Sequence, residues 1–274
     1  MKKQTTTLNI LMVGAMRAGK SSTLSSMIES LSLSSETMHV KPANDSTEKE
    51  MRNKRAHLKK IFSTENIQRG IWIDDGSGRD KSISTYEYVI EIHEYLDINL
   101  KCIDVPGEYI ENNINNLLVP AKKSNVIIVA IDTPQLMENG KIGENKNCIG
   151  DITDLLSKAI TEDSNFTGKE ILFVPVKCEK YFHTNQMNKV GERIKNAYSS
   201  LISLLKTQPN SCAYIIPVLT VGDLEFKEFK GASSSTAVAY YEFTGNKNFS
   251  PRYCEQPILY AIKYVMDILF GKSI

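Results

Sequence analysis

Short apolar runs alternate with amphipathic segments along most of the chain. The runs LNILMV (8–13), NVIIVAID (125–132), EILFVPVK (170–177) and AYIIPVLTV (213–221) have the length and composition of buried strands. Between and after them, apolar residues recur every three or four positions, as in helices that pack on one face, at about 110–123, 147–162, 185–207 and 255–270. We therefore expect an α/β fold, with a mostly parallel, twisted sheet and helices on both faces.

Two strands in the first half of the chain are predicted to form an antiparallel hairpin. STYEYVIEIHEY (84–95) alternates polar and apolar residues, and the apolar run INLKCID (98–104) follows almost at once. The hairpin would supply the one antiparallel strand, at an edge of the sheet. Upstream, TEKEMRNKRAHLKKIFS (47–63) is predicted to be a helix capped by Ser46 or Thr47, and DDGSGRDKS (74–82) is predicted to be a loop.

The composition limits the classes of protein to consider. The 274 residues are 41% apolar and 24% charged with a formal net charge of +1, which is typical of a soluble globular protein and gives no electrostatic reason to expect nucleic acid as a partner. Five scattered cysteines fit a reduced cytosol better than a disulfide framework or a zinc site. The first apolar run is too short for a signal peptide or a membrane span. We expect a cytoplasmic protein with no transmembrane segment.

The first strand leads into a phosphate-binding motif. GAMRAGKSS (14–22) matches the pattern G-x-x-x-x-G-K-[ST], and a helix with apolar residues at helical spacing follows it. Free backbone amides and the positive end of the helix dipole would face the phosphates of a nucleoside triphosphate. Lys20 would reach the β- and γ-phosphates and the Ser21 hydroxyl would bind Mg²⁺. The expected nucleotide-contacting residues of this loop are Gly14, Ala15, Met16, Arg17, Ala18, Gly19, Lys20, Ser21 and Ser22.

A second motif, DVPG (104–107), ends the second strand of the hairpin. Asp104, at the carboxyl end of a strand beside the phosphate loop, can hold Mg²⁺ through water. Gly107 has no side chain, so its amide can approach the γ-phosphate closely. Together the two motifs predict a magnesium-dependent nucleotide site.

The order of these motifs and elements resembles the Ras-like GTPases of the translation-factor-related (TRAFAC) class over nearly the whole chain. The resemblance implies a single G domain over 1–274, with an enlarged switch I insertion at about 34–83, PGEYIENN (106–113) as switch II and a packing helix at about 255–270. It also implies a switch residue that ligates Mg²⁺, for which Thr85 is the first choice, and Ser84, Ser82 and Thr64 are further candidates.

The guanine-reading motif N-K-x-D of this family is altered to VKCE (176–179). By the resemblance, Lys177 would lie over the purine. The Glu179 carboxylate would accept hydrogen bonds from the guanine N1 and N2 groups, which adenine lacks. The competing interpretation is a polar strand end with no contact to a base. Thr220 and Val221, in PVLTVGD, are the candidates for backbone contacts in the last guanine-binding loop.

Arg17 occupies a position held by arginine in the phosphate loops of atlastins and guanylate-binding proteins. The resemblance implies an internal arginine finger that acts when two G domains meet, and the competing interpretation is an exposed arginine in a weak surface ion pair. Glu108 stands where Ras-like enzymes keep a water-orienting glutamine, so slow intrinsic turnover is expected. VPVKCEKYF and SPRYCEQPILY also resemble, less closely, bacterial double-GTPase domains.

These motifs predict a magnesium-dependent switch protein that binds and hydrolyses GTP, with GTP or GDP as ligand. Hydrolysis would be stimulated by a nucleotide-dependent homodimer or by a protein effector. Arg17, Lys20, Gly107 and Glu108 are the expected catalytic residues. Two competing functions remain open, namely an ATPase of the same architecture and a nucleotide-gated binding module with little hydrolysis.

Overall fold

A computed structural model describes residues 3–34, 37–73, 82–93, 96–112, 114–163, 168–230 and 238–271. Most of the predicted loop at 74–82, within the predicted switch I insertion, lies outside these residues. The strands are β1 (Gln4–Val13), β2 (Met38–Pro42), β3 (Ile71–Ile73), β4 (Ser84–Ile92), β5 (Leu96–Asp104), β6 (Val126–Asp132), β7 (Glu170–Val176), β8 (Cys212–Ile215), β9 (Leu224–Lys230) and β10 (Val238–Phe243).

The larger sheet has the strand order β2-β4-β5-β1-β6-β7-β8. Strand β4 is antiparallel to both of its neighbours, and the pairs β5–β1, β1–β6, β6–β7 and β7–β8 are parallel. The predicted fold class and the predicted hairpin, β4–β5, are therefore confirmed. The edge of the sheet differs from the prediction, because the unpredicted strand β2 covers β4 and ends at Pro42, a residue with no N–H for a further ladder.

The helices are α1 (Lys20–Ser34), α2 (Asp45–Ile61), α3 (Thr64–Arg69), α4 (Gly107–Asn112), α5 (Leu118–Lys123), α6 (Thr133–Glu138), α7 (Gly140–Lys146), α8 (Ile149–Thr161), α9 (Glu179–His183), α10 (Met187–Ala197), α11 (Ser199–Lys206) and α12 (Gln256–Leu269). Among the described residues, no helix has both the length and the apolar character needed to cross a bilayer.

Several predicted boundaries differ from the observed ones. The helix predicted at about 110–123 is broken into α4, a 3₁₀ turn (Ile114–Leu117) and α5. Pro120 lies in the first turn of α5, where a residue without an N–H is tolerated, and it would break a longer helix. The cap of α2 is Asn44, not Ser46 or Thr47, because its side chain accepts a hydrogen bond from the amide of Thr47 at 2.8 Å.

Both faces of the larger sheet are buried, as a doubly covered parallel sheet requires. On one face, Leu8, Ile10 and Met12 of β1 pack with residues of α1 and α12. On the other face, Leu11 and Val13 pack with α5, α8, α10 and α11. The parallel strands therefore end together at one edge, where ligands of open α/β sheets bind.

A second, three-stranded sheet with the order β3-β10-β9 was not predicted. Its strands come from distant parts of the sequence, and β10 is antiparallel to both neighbours. A small apolar cluster of Leu224, Phe226 and Tyr241 supports it. The sheet packs through β9 against α9, near the carboxyl end of β7.

Candidate functional site

The phosphate loop joins β1 to α1 and needs glycine at both of its motif positions. Gly14 has a φ of 152°, and a Cβ there would lie 2.5 Å from the carbonyl oxygen of Ala130 on β6. Gly19 has a φ of 90°, in the region that favours glycine. The loop can therefore wrap tightly only because these two residues have no side chain.

Lys20 begins α1 and folds back over the loop. Its side chain is only 7% exposed, and its Nζ donates to the carbonyl oxygens of Gly14 at 2.8 Å and Ala15 at 2.9 Å. The ammonium group thus lies inside the loop that would surround a phosphate. The carbonyl groups that hold it are neutral acceptors, which a phosphate oxygen can replace with a stronger, charge-assisted interaction.

The residues expected to hold Mg²⁺ lie partly together. The Ser21 hydroxyl donates a hydrogen bond to Oδ2 of Asp104, which is 5% exposed. In the β4–β5 ladder, Ser84 is paired with Asp104, whereas Thr85 is paired with Ile103. Side chains alternate between the two faces of a strand. The side chain of Ser84 therefore lies on the same face of the sheet as that of Asp104, and the side chain of Thr85 lies on the opposite face. Thr64 lies at the start of α3, and Ser82 lies just before β4.

The donor set of this region fits Mg²⁺ chemically. Mg²⁺ is commonly bound by one or two protein oxygens together with water and substrate phosphates, so a cluster of acidic residues is not needed. Within the described ranges no group of three or more His, Cys, Asp or Glu side chains has metal-binding geometry. The hydroxyl of Ser21 and the carboxylate of Asp104 are both hard oxygen ligands.

The DVPG motif contacts the phosphate loop through its glycine. Gly107 is buried at the start of α4, and a Cβ added to it would lie 2.0 Å from the amide nitrogen of Met16 and 2.6 Å from the carbonyl carbon of Ala15. The backbone of the two motifs is therefore in direct contact. The next residue, Glu108, is half-buried on the same helix.

Lys177, after β7, links the altered base motif to the phosphate loop. Its Nζ donates to the carbonyl oxygen of Arg17 at 2.7 Å and to Oδ2 of Asp132 at 2.5 Å. Asp132 also caps α6 by accepting a hydrogen bond from the amide of Gln135 at 3.0 Å. The sequence analysis did not identify Asp132, although a carboxylate at the end of a buried strand is the same signal that identified Asp104.

Glu179 is 1% exposed and lies at the start of α9. Burial raises the pKa of its carboxyl group to about 8, although the nearby amides of Gly222 and Val221 favour the charged form. Its Oε1 atom has no hydrogen-bond partner among the described residues. An oxygen without a hydrogen-bond partner at this depth costs stability.

The last predicted loop is anchored to α1. Ser26 Oγ donates to the carbonyl oxygen of Thr220 at 3.0 Å, and the hydroxyl groups of Thr220 and Thr23 lie 3.1 Å apart. The following residue, Val221, is one of the two whose amides lie beside Glu179. The loop and the Glu179 carboxyl group are therefore neighbours.

Arg17 is exposed on the phosphate loop and has a φ of 67°, in the left-handed region. A residue other than glycine pays a conformational cost of about 1 kcal/mol or more in this region. Its carbonyl oxygen is held by Lys177. The structure thus places Arg17 at the boundary between the phosphate loop and the base motif, in a backbone conformation that glycine would adopt more easily.

Comparison with known proteins finds no matching family model and no significantly similar curated protein. Among solved structures, the chain is similar to the GTPase-like domain of S. cerevisiae Ski7 bound to GTP. The identity is 16%, the TM-score is 0.43, and the match covers 94% of this chain and 50% of that chain. The chain therefore spans about half the length of the solved chain. At this level of similarity, the function has to be argued from the residues of the site.

Proposed function

We propose that this protein binds GTP and hydrolyses it in a magnesium-dependent reaction, and that it acts as a nucleotide-controlled switch. The main support is the convergence of Lys20, Ser21, Asp104 and Gly107 on one loop at the carboxyl edge of the parallel strands. These four residue types in this arrangement match the requirements of phosphoryl transfer, which depends on positioning and on charge stabilisation.

The phosphates would bind in the loop 14–21. Lys20 would exchange the carbonyl oxygens of Gly14 and Ala15 for β- and γ-phosphate oxygens, and the loop amides would donate to the same phosphates. Ser21 and Asp104 would hold Mg²⁺, which neutralises charge on the β- and γ-phosphates when bound. Ser84 rather than Thr85 would complete the metal site, because only Ser84 shares a face of the sheet with Asp104.

The base would lie between Lys177 and Glu179. The stem of Lys177 is fixed over the loop by its contacts with Arg17 and Asp132, so it offers an apolar surface to a purine. The unpaired Oε1 of Glu179 is an acceptor for the guanine N1 and N2 groups. Thr220 and Val221 belong to the loop beside it.

Hydrolysis would use the amide of Gly107 near the γ-phosphate, Glu108 near the attacking water, and Arg17 as a cation that stabilises charge on the leaving group. Arg17 is exposed, which suits an arginine that is positioned by a second copy of the chain or by an effector. The surface-arginine interpretation gives Arg17 no role in turnover.

One observation favours ATP as a second candidate ligand. With a pKa of about 8, the Glu179 carboxyl group of the free protein is mostly protonated at pH 7. A protonated carboxyl group donates through its O–H and accepts through the other oxygen, which complements N1 and N6 of adenine. The ionised form complements guanine instead, so pH should discriminate between the two ligands.

The experiment is phosphate release from GTP and from ATP, with Mg²⁺ and with EDTA, using the parent protein, Lys20→Ala and Lys195→Ala. Lys195 is an exposed helical lysine paired only with Glu192 in the described structure, so its variant controls for loss of a positive charge. We expect magnesium-dependent GTP hydrolysis by the parent and Lys195→Ala, and none by folded Lys20→Ala. Faster hydrolysis of ATP than of GTP by the parent would contradict the GTPase assignment.

A further inference from the structure

The small sheet reaches the base end of the candidate site through Tyr241 of β10. This side chain is 2% exposed and packs edge-on against Phe226 of β9, with ring centroids 5.7 Å apart. Burial raises the pKa of its hydroxyl group, and so do the nearby Asp132, Glu179 and Tyr181. Val221 of the predicted base loop packs against the apolar cluster that contains Tyr241, so the tyrosine lies near the proposed base subsite.

The small sheet is also joined to the base loop directly. β9 begins two residues after Gly222, and the amide of Leu224 donates to the carbonyl oxygen of Gly222 at 2.8 Å. On the other side, Nδ1 of His183 on α9 forms a hydrogen bond with Oε1 of Glu225, and Nζ of Lys180 lies 5.3 Å from the ring centre of Phe226. A shift of the base loop or of α9 would therefore be transmitted to β9.

Two neighbouring tyrosines of β10 have different surroundings. Tyr240 is paired with Glu228 and Tyr241 with Phe226, so the extra residue at the register shift is Lys227 of β9. Consecutive side chains of a strand point to opposite faces, and the Tyr240 hydroxyl group donates to the carbonyl oxygen of Arg69 at 3.4 Å. Tyr241 lies on the other face, against Phe226.

We propose that Tyr241 is a base-contacting specificity residue and that the small sheet covers the base subsite, moving when a purine nucleotide binds. The inference rests on the proposed nucleotide-binding function. Glu179 carries an unpaired oxygen yet is almost fully covered, so a base can reach it only if the neighbouring cover shifts. Val221, whose amide lies beside Glu179, packs against the cluster of Leu224, Phe226 and Tyr241, so a shift of this cluster would open the subsite and the ring of Tyr241 would form one of its walls.

The backbone amides of β9 and β10 report on this movement. The experiment compares hydrogen–deuterium exchange of residues 224–230 and 238–243 on saturation with GDP and on saturation with tripolyphosphate, which occupies a phosphate loop but has no base. We expect GDP to change the exchange of these amides and tripolyphosphate to leave it unchanged. Equal responses to the two ligands, or no response to bound GDP, would overturn the proposal.

Calorimetry of Tyr241→Leu gives the second test, with Tyr240→Leu as the matched control. Stacking of a base on an aromatic ring contributes substantially to affinity, so Tyr241→Leu should lower the affinity for GDP by about 10-fold or more and keep the affinity for tripolyphosphate. Tyr240→Leu should leave both affinities within about twofold of the parent values. An equal loss of affinity for GDP and for tripolyphosphate in Tyr241→Leu would show that Tyr241 has only a structural role. If Tyr241→Leu does not fold, the hydrogen-exchange comparison on the parent protein decides alone.

Failure of the proposed function would give a different result. If the phosphate loop does not bind nucleotide, the parent will bind neither GDP nor tripolyphosphate. If only the Tyr241 inference is wrong, GDP and tripolyphosphate will both bind and both will depend on Lys20. Hydrogen exchange of β9 and β10 will then respond equally to the two ligands, and Tyr241→Leu will affect their affinities equally.

Discussion

Substitution of Gly107 by alanine tests the contact between the two nucleotide motifs. The added Cβ would lie 2.0 Å from the amide nitrogen of Met16 and 2.3 Å from its Cα, although ordinary van der Waals contact begins at 3.4 Å. The backbone of α4 and the phosphate loop must therefore separate by about 1.4 Å. Both partners are backbone, so no side-chain rotation can relieve the overlap.

Overpacking of this kind typically costs about 1–3 kcal/mol of unfolding free energy, which corresponds to a fall of roughly 2–10 °C in Tm for a chain of this size. Turnover should also fall, because the amide of residue 107 would move away from the phosphate loop. The assay is thermal and denaturant unfolding together with phosphate release from GTP.

Gly191→Ala is the matched control for this prediction. Gly191 lies inside α10, and no atom lies within 4 Å of a Cβ added there. Alanine is favoured over glycine inside a helix, so this variant should gain about 0.5–1 kcal/mol. Unchanged stability in Gly107→Ala, measured beside a stabilised Gly191→Ala, would refute the direct contact between Gly107 and the loop.

Three further predictions follow from charge and backbone conformation. Arg17→Gly should keep the free energy of unfolding unchanged or raise it by up to about 1 kcal/mol, because glycine adopts the left-handed backbone conformation of residue 17 at lower cost. The same variant should lower GTP turnover. Unchanged turnover across a wide range of protein concentration would reject the arginine finger. GDP affinity should rise with pH from about 6.5 to 8, by up to about tenfold per unit, since guanine needs the ionised Glu179 whose pKa is about 8. Glu179→Gln should flatten that profile, and a pH-independent parent would reject this role. Burial also raises the pKa of the Glu170 carboxyl group from 4.5 to about 8. The contribution of this group to the free energy of unfolding is therefore fully present below pH 4.5, where the carboxyl group is neutral in both states, and it is lost as the pH rises to about 8. Glu170→Gln should reduce the fall in unfolding free energy over that range by up to about 1.4 kcal/mol per pH unit, measured by denaturant titration, and an unchanged slope would contradict the burial of an unpaired carboxyl group.

The phosphate loop, the DVPG turn and the alternation of strands with helices along the chain could be predicted because local patterns specify them. A run of apolar residues followed by GAMRAGKSS needs no distant information to predict a strand, a turn and a helix. The same is true of the β4–β5 hairpin, whose two strands are adjacent in sequence. The convergence of Ser21 and Asp104 followed from the rule that parallel strands end at the same edge.

The small sheet could not be predicted in the same way, because its pairing is non-local. β3 is a three-residue strand that pairs with β10, more than 160 positions further along the chain. Tyr241 joins Leu224 and Phe226 in an apolar cluster only because β10 also pairs with β9. No local pattern in VAYYEF indicates which strand it will join or which of its two tyrosines will pack on Phe226.

The metal ligand proposed on β4 illustrates how strongly the choice of residue depends on strand register. Thr85 and Ser84 are adjacent and both carry a hydroxyl group, so the sequence motif alone does not choose between them. Pairing of Ser84 with Asp104 places Thr85 on the opposite face, because a shift of one residue reverses the direction of every side chain in a strand. The resemblance named Thr85 first, and the register favours its neighbour Ser84 as the candidate.

The central claim is that guanine nucleotides bind at the phosphate loop through Lys20. The most direct measurement is calorimetric titration of GDP and ADP, with Mg²⁺, into the parent protein and into folded Lys20→Ala at pH 8. The account predicts that the parent binds GDP at least about tenfold more tightly than ADP, and that Lys20→Ala binds neither measurably. Equal GDP affinity in the parent and in Lys20→Ala, or tighter binding of ADP by the parent, would contradict it.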